Sequence, residues 1–149
     1  MANQSNTEQQ NKRHERRTSN TYNKFLNELC TPGDMSKEEA EKATVAVLGA
    51  LEKRIQPTET SKMEAQLPQK LRELLDHSGI DKSLAPQRFG KDEFIEMVAS
   101  DLDASPEEAE STSRRVFATV RAQISDGEAE DVASQLPLDI AQLWREQPT

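Results

Sequence analysis

Apolar residues recur at spacings of three and four along most of the chain, with polar residues between them. The stripe is clearest from Ala40 through Val47 and Leu51 to Ile55, and a shorter one runs through Phe25 and neighbouring leucines. This spacing matches one face of an α-helix, which turns once every 3.6 residues. The pattern therefore predicts an all-α fold built from amphipathic helices.

The pattern of the first half returns in the second half at an offset of 69 residues. Aligning residues 22–77 with residues 91–146 needs no gap and gives 14 identities in 56 pairs. Self-similarity of this kind indicates a duplicated unit. We expect two tandem four-helix repeats over 21–77 and 91–146, joined by a linker over 78–90 and packed as one domain about a pseudo-twofold axis. The identities include Phe25/Phe94, Ser36/Ser105, Glu38 to Glu41/Glu107 to Glu110, Val47/Val116, Ile55/Ile124, Glu59/Glu128, and Gln66 to Pro68/Gln135 to Pro137.

Local signals mark where the helices begin and end. Ser36 and Ser105 each stand three residues before a glutamate, which is the pattern of a capping box at a helix start. We expect the long helices to run from these serines to about Ile55 and Ile124. Turns are expected at 56–58 and 125–127, because Pro57 and Gly127 disfavour a continuing helix.

A third, short helix is then predicted over 59–66, and its counterpart over 128–135. Leu67 and Leu136 each precede a proline, which disfavours helical geometry in the residue before it. We therefore expect each leucine to end the third helix and fill the corner, while Pro68 and Pro137 open a fourth helix.

Composition supports helices with a thin core. The chain has 149 residues, of which 34% are hydrophobic and 4% aromatic, and its mean hydropathy is −0.85. Its longest apolar runs are only a few residues, so we expect no membrane span, and its polar start lacks the apolar core of a signal peptide. These features predict a cytoplasmic protein.

Charge is distributed unevenly. The net charge is −8, but residues 1–20 hold four Lys or Arg against two Glu, giving +2 there and −10 over the rest. Such a polar segment cannot offset its ordering entropy by burial, so we expect a flexible basic arm. Its cations are candidate contacts for a partner: Lys12, Arg13, Arg16 and Arg17.

Candidate chemistry in the helical part is sparse. Asp101 opens a calcium-loop pattern, but Pro106 and Thr112 stand where that loop needs glycine and a bidentate glutamate. The two histidines have no spacing typical of zinc sites or catalysis, and Cys30 is the single cysteine. The sequence predicts no catalytic, cofactor-binding or metal-binding residue. A basic patch is expected on the second long helix, where solvated surface is the alternative interpretation: Arg114, Arg115 and Arg121.

The order of these motifs resembles the prokaryotic family catalogued as domain of unknown function 2267. The resemblance covers about residues 21–146 and is carried by segments of both halves: Phe25-Leu26, 36–44, 65–75, Phe94-Ile95, 105–109 and 134–144. It implies an all-helical bacterial domain without assigned activity, so no catalytic residue is transferred from it.

Three functional hypotheses follow. The first is a non-enzymatic helical module that binds a protein partner through the bundle surface, with the basic arm as an added contact. The second is a small regulator that contacts nucleic acid through Lys12 to Arg17, which the acidic body disfavours because counterion release needs a basic face. The third and least favoured is a small-ligand binder or enzyme with a pocket between the repeats.

Overall fold

The computed structural model describes residues 21–30, 35–77 and 86–146, which form eight helices without a strand. This confirms the all-α prediction. The predicted arm, the Thr31-Pro32-Gly33 turn and residues 78–85 of the predicted linker lie outside the described residues. The helices are α1 (21–30), α2 (Lys37–Glu52), α3 (Pro57–Glu64), α4 (Gln69–Asp76), α5 (Lys91–Leu102), α6 (Pro106–Gln123), α7 (Asp126–Ser134) and α8 (Leu138–Arg145).

Both predicted capping boxes start a long helix. The Glu39 amide donates to Ser36 Oγ at 3.1 Å, and the Glu108 amide donates to Ser105 Oγ at 3.2 Å. Each bond satisfies one of the amides that a helix start leaves without an intrahelical partner. The Ser36 hydroxyl in turn donates to Glu39 Oε1 at 3.3 Å.

The expected ends of the long helices were wrong by one to three residues. Helix α2 ends at Glu52 and α6 at Gln123, so Ile55 and Ile124 lie beyond the helices, although both side chains are buried. The Arg54 amide bonds to the carbonyl of Leu51, which tightens the chain into a turn. The apolar stripe therefore extends past the end of each helix to a buried isoleucine, so the stripe alone does not mark where the helix ends.

The predicted starts of the third helices were also wrong. Helix α3 begins at Pro57 and α7 at Asp126, two residues earlier than expected. Pro57 occupies the first helical position, where its missing amide proton costs nothing, so it starts the helix that it was expected to delay. Ser125 caps α7 by accepting from the Glu128 amide at 3.1 Å.

Helices from both halves share one hydrophobic core. Helices α2, α5 and α6 pack against one another, and α8 packs on α6. Phe117 lies between two other rings, with its centroid 5.7 Å from that of Phe94 and 5.1 Å from that of Trp144. Leu67 and Leu136, which were expected to fill the corners before the prolines, are both buried.

Several contacts recur at positions 69 residues apart. Thr44 Oγ1 donates to the Ala40 carbonyl at 2.7 Å, and Ser113 Oγ donates to the Ala109 carbonyl at 2.7 Å. These hydroxyls are buried inside a helix, so bonding to the preceding turn satisfies them. The packing of two repeats about a pseudo-twofold axis, and the division into two repeats and a linker, stay predictions.

Candidate functional site

Two buried glutamates meet where α3 packs against α7. Glu59 and Glu128 are the third residues of their helices, and each has 5% of its surface exposed. Oxygens of these two carboxyl groups and of Asp131 lie within 4.8 Å of one another. Three acidic side chains therefore converge at a junction that helix packing holds closed.

The groups around this acidic cluster (Glu59, Glu128 and Asp131) differ on its two sides. Gln135 Nε2 donates to Glu59 Oε1 at 3.1 Å, which fixes the orientation of that carboxylate. Lys62 Nζ lies 3.5 Å from Glu59 Oε2 and 3.6 Å from Asp131 Oδ2. The lysine side chain is 58% exposed, so its ammonium approaches the cluster from the solvent side.

Glu128 has the most altered acidity of the cluster. Burial, together with the hydrogen bond and the charge of Glu59, raises the pKa of Glu128 from 4.5 to about 7. Removal from water disfavours the charged form, and a second carboxylate alongside disfavours it further. Apart from the facing carboxyl of Glu59, the buried Oε2 of Glu128 has no hydrogen-bond partner among the described residues.

A pair of hydrogen bonds ties α3 and α7 together at their ends. The Gln56 amide donates to Gln135 Oε1 at 2.7 Å, and the Ser125 amide donates to Gln66 Oε1 at 2.6 Å. Gln56 and Ser125 are the N-cap residues of α3 and α7. A glutamine at the end of each helix therefore caps the start of the other.

The sequence repeats the glutamates and glutamines of this junction but does not show that they meet in the fold. Glu59 and Glu128, like Gln66 and Gln135, are identical residues at matching positions of the two halves. Both glutamates stand in the first turn of a helix, where acidic residues commonly complement the helix dipole. Their burial depends on contact between α3 and α7, which periodicity along the chain does not report.

The predicted arginine patch makes contacts within the molecule. Arg114 forms ion pairs with Glu110 and Glu146, and Arg121 Nη2 donates to the Glu146 carbonyl at 3.0 Å. Arg115 Nη2 donates to the carbonyl of Leu29 in α1. Arg114 and Arg121 thus share a face, as expected, while Arg115 points elsewhere.

The partner-binding role of these arginines stays a prediction. The hydrogen bond that Arg114 donates to Glu146 is the main cause that raises the pKa of Arg114, whereas burial lowers the pKa of Arg121. The other four predicted site residues lie outside the described residues: Lys12, Arg13, Arg16 and Arg17.

An open cleft of about 690 Å³ lies near the start of α8. Its lining includes Arg54, Arg88, Phe89 and Pro137. Arg54 Nε donates to the Phe89 carbonyl at 3.2 Å, which holds the segment before α5 against the end of α2. Asp139 lines the same cleft, and its Oδ2 accepts a hydrogen bond from the Lys91 amide at 2.9 Å.

Leu138 follows directly after this cleft's Pro137. It is the first residue of α8, and its side chain is 75% exposed, the one large hydrophobic residue so exposed in the part of the chain that the structure describes. We call Leu138, Pro137, Arg54 and Arg88 the Leu138 surface.

Comparison with known proteins identifies the family. The profile described as "Uncharacterized conserved protein (DUF2267)" matches residues 22–143, which contain the acidic cluster and the Leu138 surface. No curated protein matches the chain. Among the described residues, no helix combines the length and the apolar character needed to cross a membrane. Because the match spans most of the sequence, the chain belongs to the DUF2267 family.

Proposed function

We propose that this protein is a non-enzymatic helical module that binds a protein partner, with Leu138 as the apolar anchor of the contact. The observation that carries the proposal is the 75% exposure of Leu138 beside the cleft that contains Phe89 and Pro137. Single exposed leucines are ordinary on protein surfaces. A leucine at the edge of a cleft with an aromatic and two arginines has the composition of an interface centre.

The matching helix provides an internal comparison. Gln69 is the first residue of α4, as Leu138 is of α8, and it too is exposed. The corresponding position in the other half therefore accommodates a polar side chain. This supports a role for Leu138 in binding, because helix geometry at that position does not require a large apolar side chain.

The chemistry of the cleft indicates what the partner presents. Arg88 is exposed, and Arg54 keeps its guanidinium at the cleft wall. Arginine forks pair with carboxylates in two-point hydrogen bonds. We therefore propose that the bound segment combines an apolar side chain, which covers Leu138, with acidic residues that face the arginines.

An affinity pull-down from an extract of the native cell tests the proposal. It uses four baits: the full chain, a chain that begins at Thr21, and the Leu138→Asp and Gln69→Asp variants. The Leu138→Asp bait is expected to lose one retained protein that the other three keep. Binding of that protein to the purified full chain then has to be reproduced with the two components alone.

Two outcomes of this comparison contradict the proposal. Equal retention by the Leu138→Asp and Gln69→Asp baits would remove the Leu138 surface from the contact. Loss on removal of residues 1–20, with sensitivity to nuclease, would favour the nucleic-acid hypothesis for the basic arm instead.

A further inference from the structure

We propose that Glu59, Glu128 and Asp131 form a binding site for one hard divalent cation. All three side chains supply carboxylate oxygens, the ligands that such cations prefer. The spacing pattern of the sequence predicted no metal site, because the three residues come from two helices that meet only in the fold.

The three carboxyl groups lie close enough together to share one cation. Oxygens on opposite sides of one ion are separated by twice the metal–oxygen distance, about 4.2 Å for Mg²⁺ and about 4.8 Å for Ca²⁺. The carboxylate oxygens of the acidic cluster lie within 4.8 Å of one another. The three carboxyl groups are therefore close enough together to bind one hard divalent cation between them.

A second observation points to a ligand at the same place. Glu128 has 5% of its surface exposed, so it is 95% buried, and apart from the carboxyl of Glu59 its Oε2 has no hydrogen-bond partner among the described residues. A buried acidic oxygen without a donor is costly. One carboxyl oxygen of Glu128 lies within 4.8 Å of an oxygen of each of the other two groups, so a cation bound between the three would satisfy the buried carboxylate.

The neighbouring glutamine supports a binding arrangement. Gln135 Nε2 donates to Glu59 Oε1 at 3.1 Å, while Glu59 Oε2 lies 3.5 Å from Lys62 Nζ. Outer hydrogen bonds that orient a ligating carboxylate are a regular feature of metal sites. The carboxylate of Glu59 is thus positioned by the same residue that caps α3.

Lys62 is the internal competitor for the cation. Its ammonium bridges Glu59 and Asp131 at 3.5 and 3.6 Å, and its 58% exposure leaves the side chain room to swing into solvent. Lys62 and Asp131 stand at matching positions of the two halves. The second half therefore contributes the ligand Asp131 at the position where the first half contributes the competing ammonium of Lys62. The two halves together thus form one site per chain.

Mn²⁺ binding to the full chain tests the site. The protein is stripped with a chelator, transferred to a mildly alkaline metal-free buffer, and titrated while the electron paramagnetic resonance signal of free Mn²⁺ is followed. We expect one saturable Mn²⁺ per chain, displaced by Ca²⁺. Glu128→Gln and Asp131→Asn should each weaken binding at least tenfold, and Lys62→Gln should strengthen it several-fold.

Glu130→Gln is the matched control, since Glu130 is an exposed glutamate on α7 that pairs with Arg145. It should leave Mn²⁺ affinity within twofold of the original. Asp131 is exposed, so Asp131→Asn tests the site without disturbing the core. Absence of saturable binding, or equal affinity in Asp131→Asn and Glu130→Gln, would overturn the proposal.

Discussion

The backbone amide of Gln56 donates to the side-chain oxygen of Gln135 at 2.7 Å, across 79 positions of sequence. The Ser125 amide makes the corresponding bond to Gln66 at 2.6 Å. Each glutamine side chain thereby accepts a hydrogen bond from the N-cap residue of a helix in the other half of the chain. The junction of α3 and α7 consequently depends on two side chains that the sequence repeats identically.

Replacing these glutamines should destabilise the fold by unequal amounts. Gln66→Ala removes one bond to a helix start and should cost about 1 kcal/mol in the free energy of unfolding. Gln135→Ala removes two, because its Nε2 also donates to Glu59, and should cost about 2 kcal/mol. Urea unfolding measures both. Gln142→Ala, at an exposed position of α8, is the control and should change stability by less than about 0.5 kcal/mol.

Stability should fall as pH rises, through Glu128. Its pKa is raised from 4.5 to about 7 in the folded chain, so folding favours the protonated acid. That contribution is complete below about pH 4.5 and is lost as pH rises through 7. In the presence of a chelator, the original chain should lose about 2 kcal/mol more than Glu128→Gln between pH 5 and 8.

Chemical denaturation at several pH values checks this difference. Glu130→Gln should follow the original chain, because its exposed carboxyl lies away from the Glu59 contact. Parallel stability curves for the original chain and Glu128→Gln would show that Glu128 holds no extra proton in the folded state.

The three serine caps should contribute similar amounts. Ser36, Ser105 and Ser125 each accept a backbone amide at a helix start, at 3.1, 3.2 and 3.1 Å. Alanine at any of them should cost about 1 kcal/mol in unfolding free energy, measured by thermal or urea denaturation. Ser111→Ala, in the exposed interior of α6, serves as the control and should be neutral or slightly stabilising. A neutral Ser125→Ala would contradict the assigned cap.

Trp144 should be needed for both its ring and its indole nitrogen. The ring packs edge-on against Phe117, and Nε1 donates to the Ala129 carbonyl at 3.1 Å. Trp144→Phe keeps an aromatic ring but leaves that carbonyl without its donor and part of the site unfilled, which should cost about 2 to 3 kcal/mol. Unfolding monitored by circular dichroism measures the loss. A cost below that of a single serine cap would show that the ring is loosely packed.

The local features of the fold were predictable from sequence. The helix starts at Ser36 and Ser105 depend on residues within one turn, and their hydrogen bonds match the pattern. The burial of Leu67 and Leu136 was also expected from the proline that follows each. Such signals depend on residues that are neighbours both in the sequence and in space.

Features that depend on helix packing were not predictable in the same way. Glu59 and Glu128 have the sequence context of ordinary first-turn charges, and only the approach of α3 to α7 buries them. Likewise, Pro57 was expected to lie in a turn, although it occupies the first position of α3. Leu138 stands three residues before the buried Ala141, so its exposure is evident only once α8 is placed.

Photo-crosslinking in the native cell tests the proposed partner contact most directly. A photoreactive amino acid is placed at position 138 in one chain and at position 69 in another, since both are exposed first residues of corresponding helices. We predict one discrete covalent adduct with a protein from position 138 and none from position 69. Adducts of equal yield from both positions, or none from position 138 while the full chain still retains its partner, would contradict the Leu138 surface as the binding site.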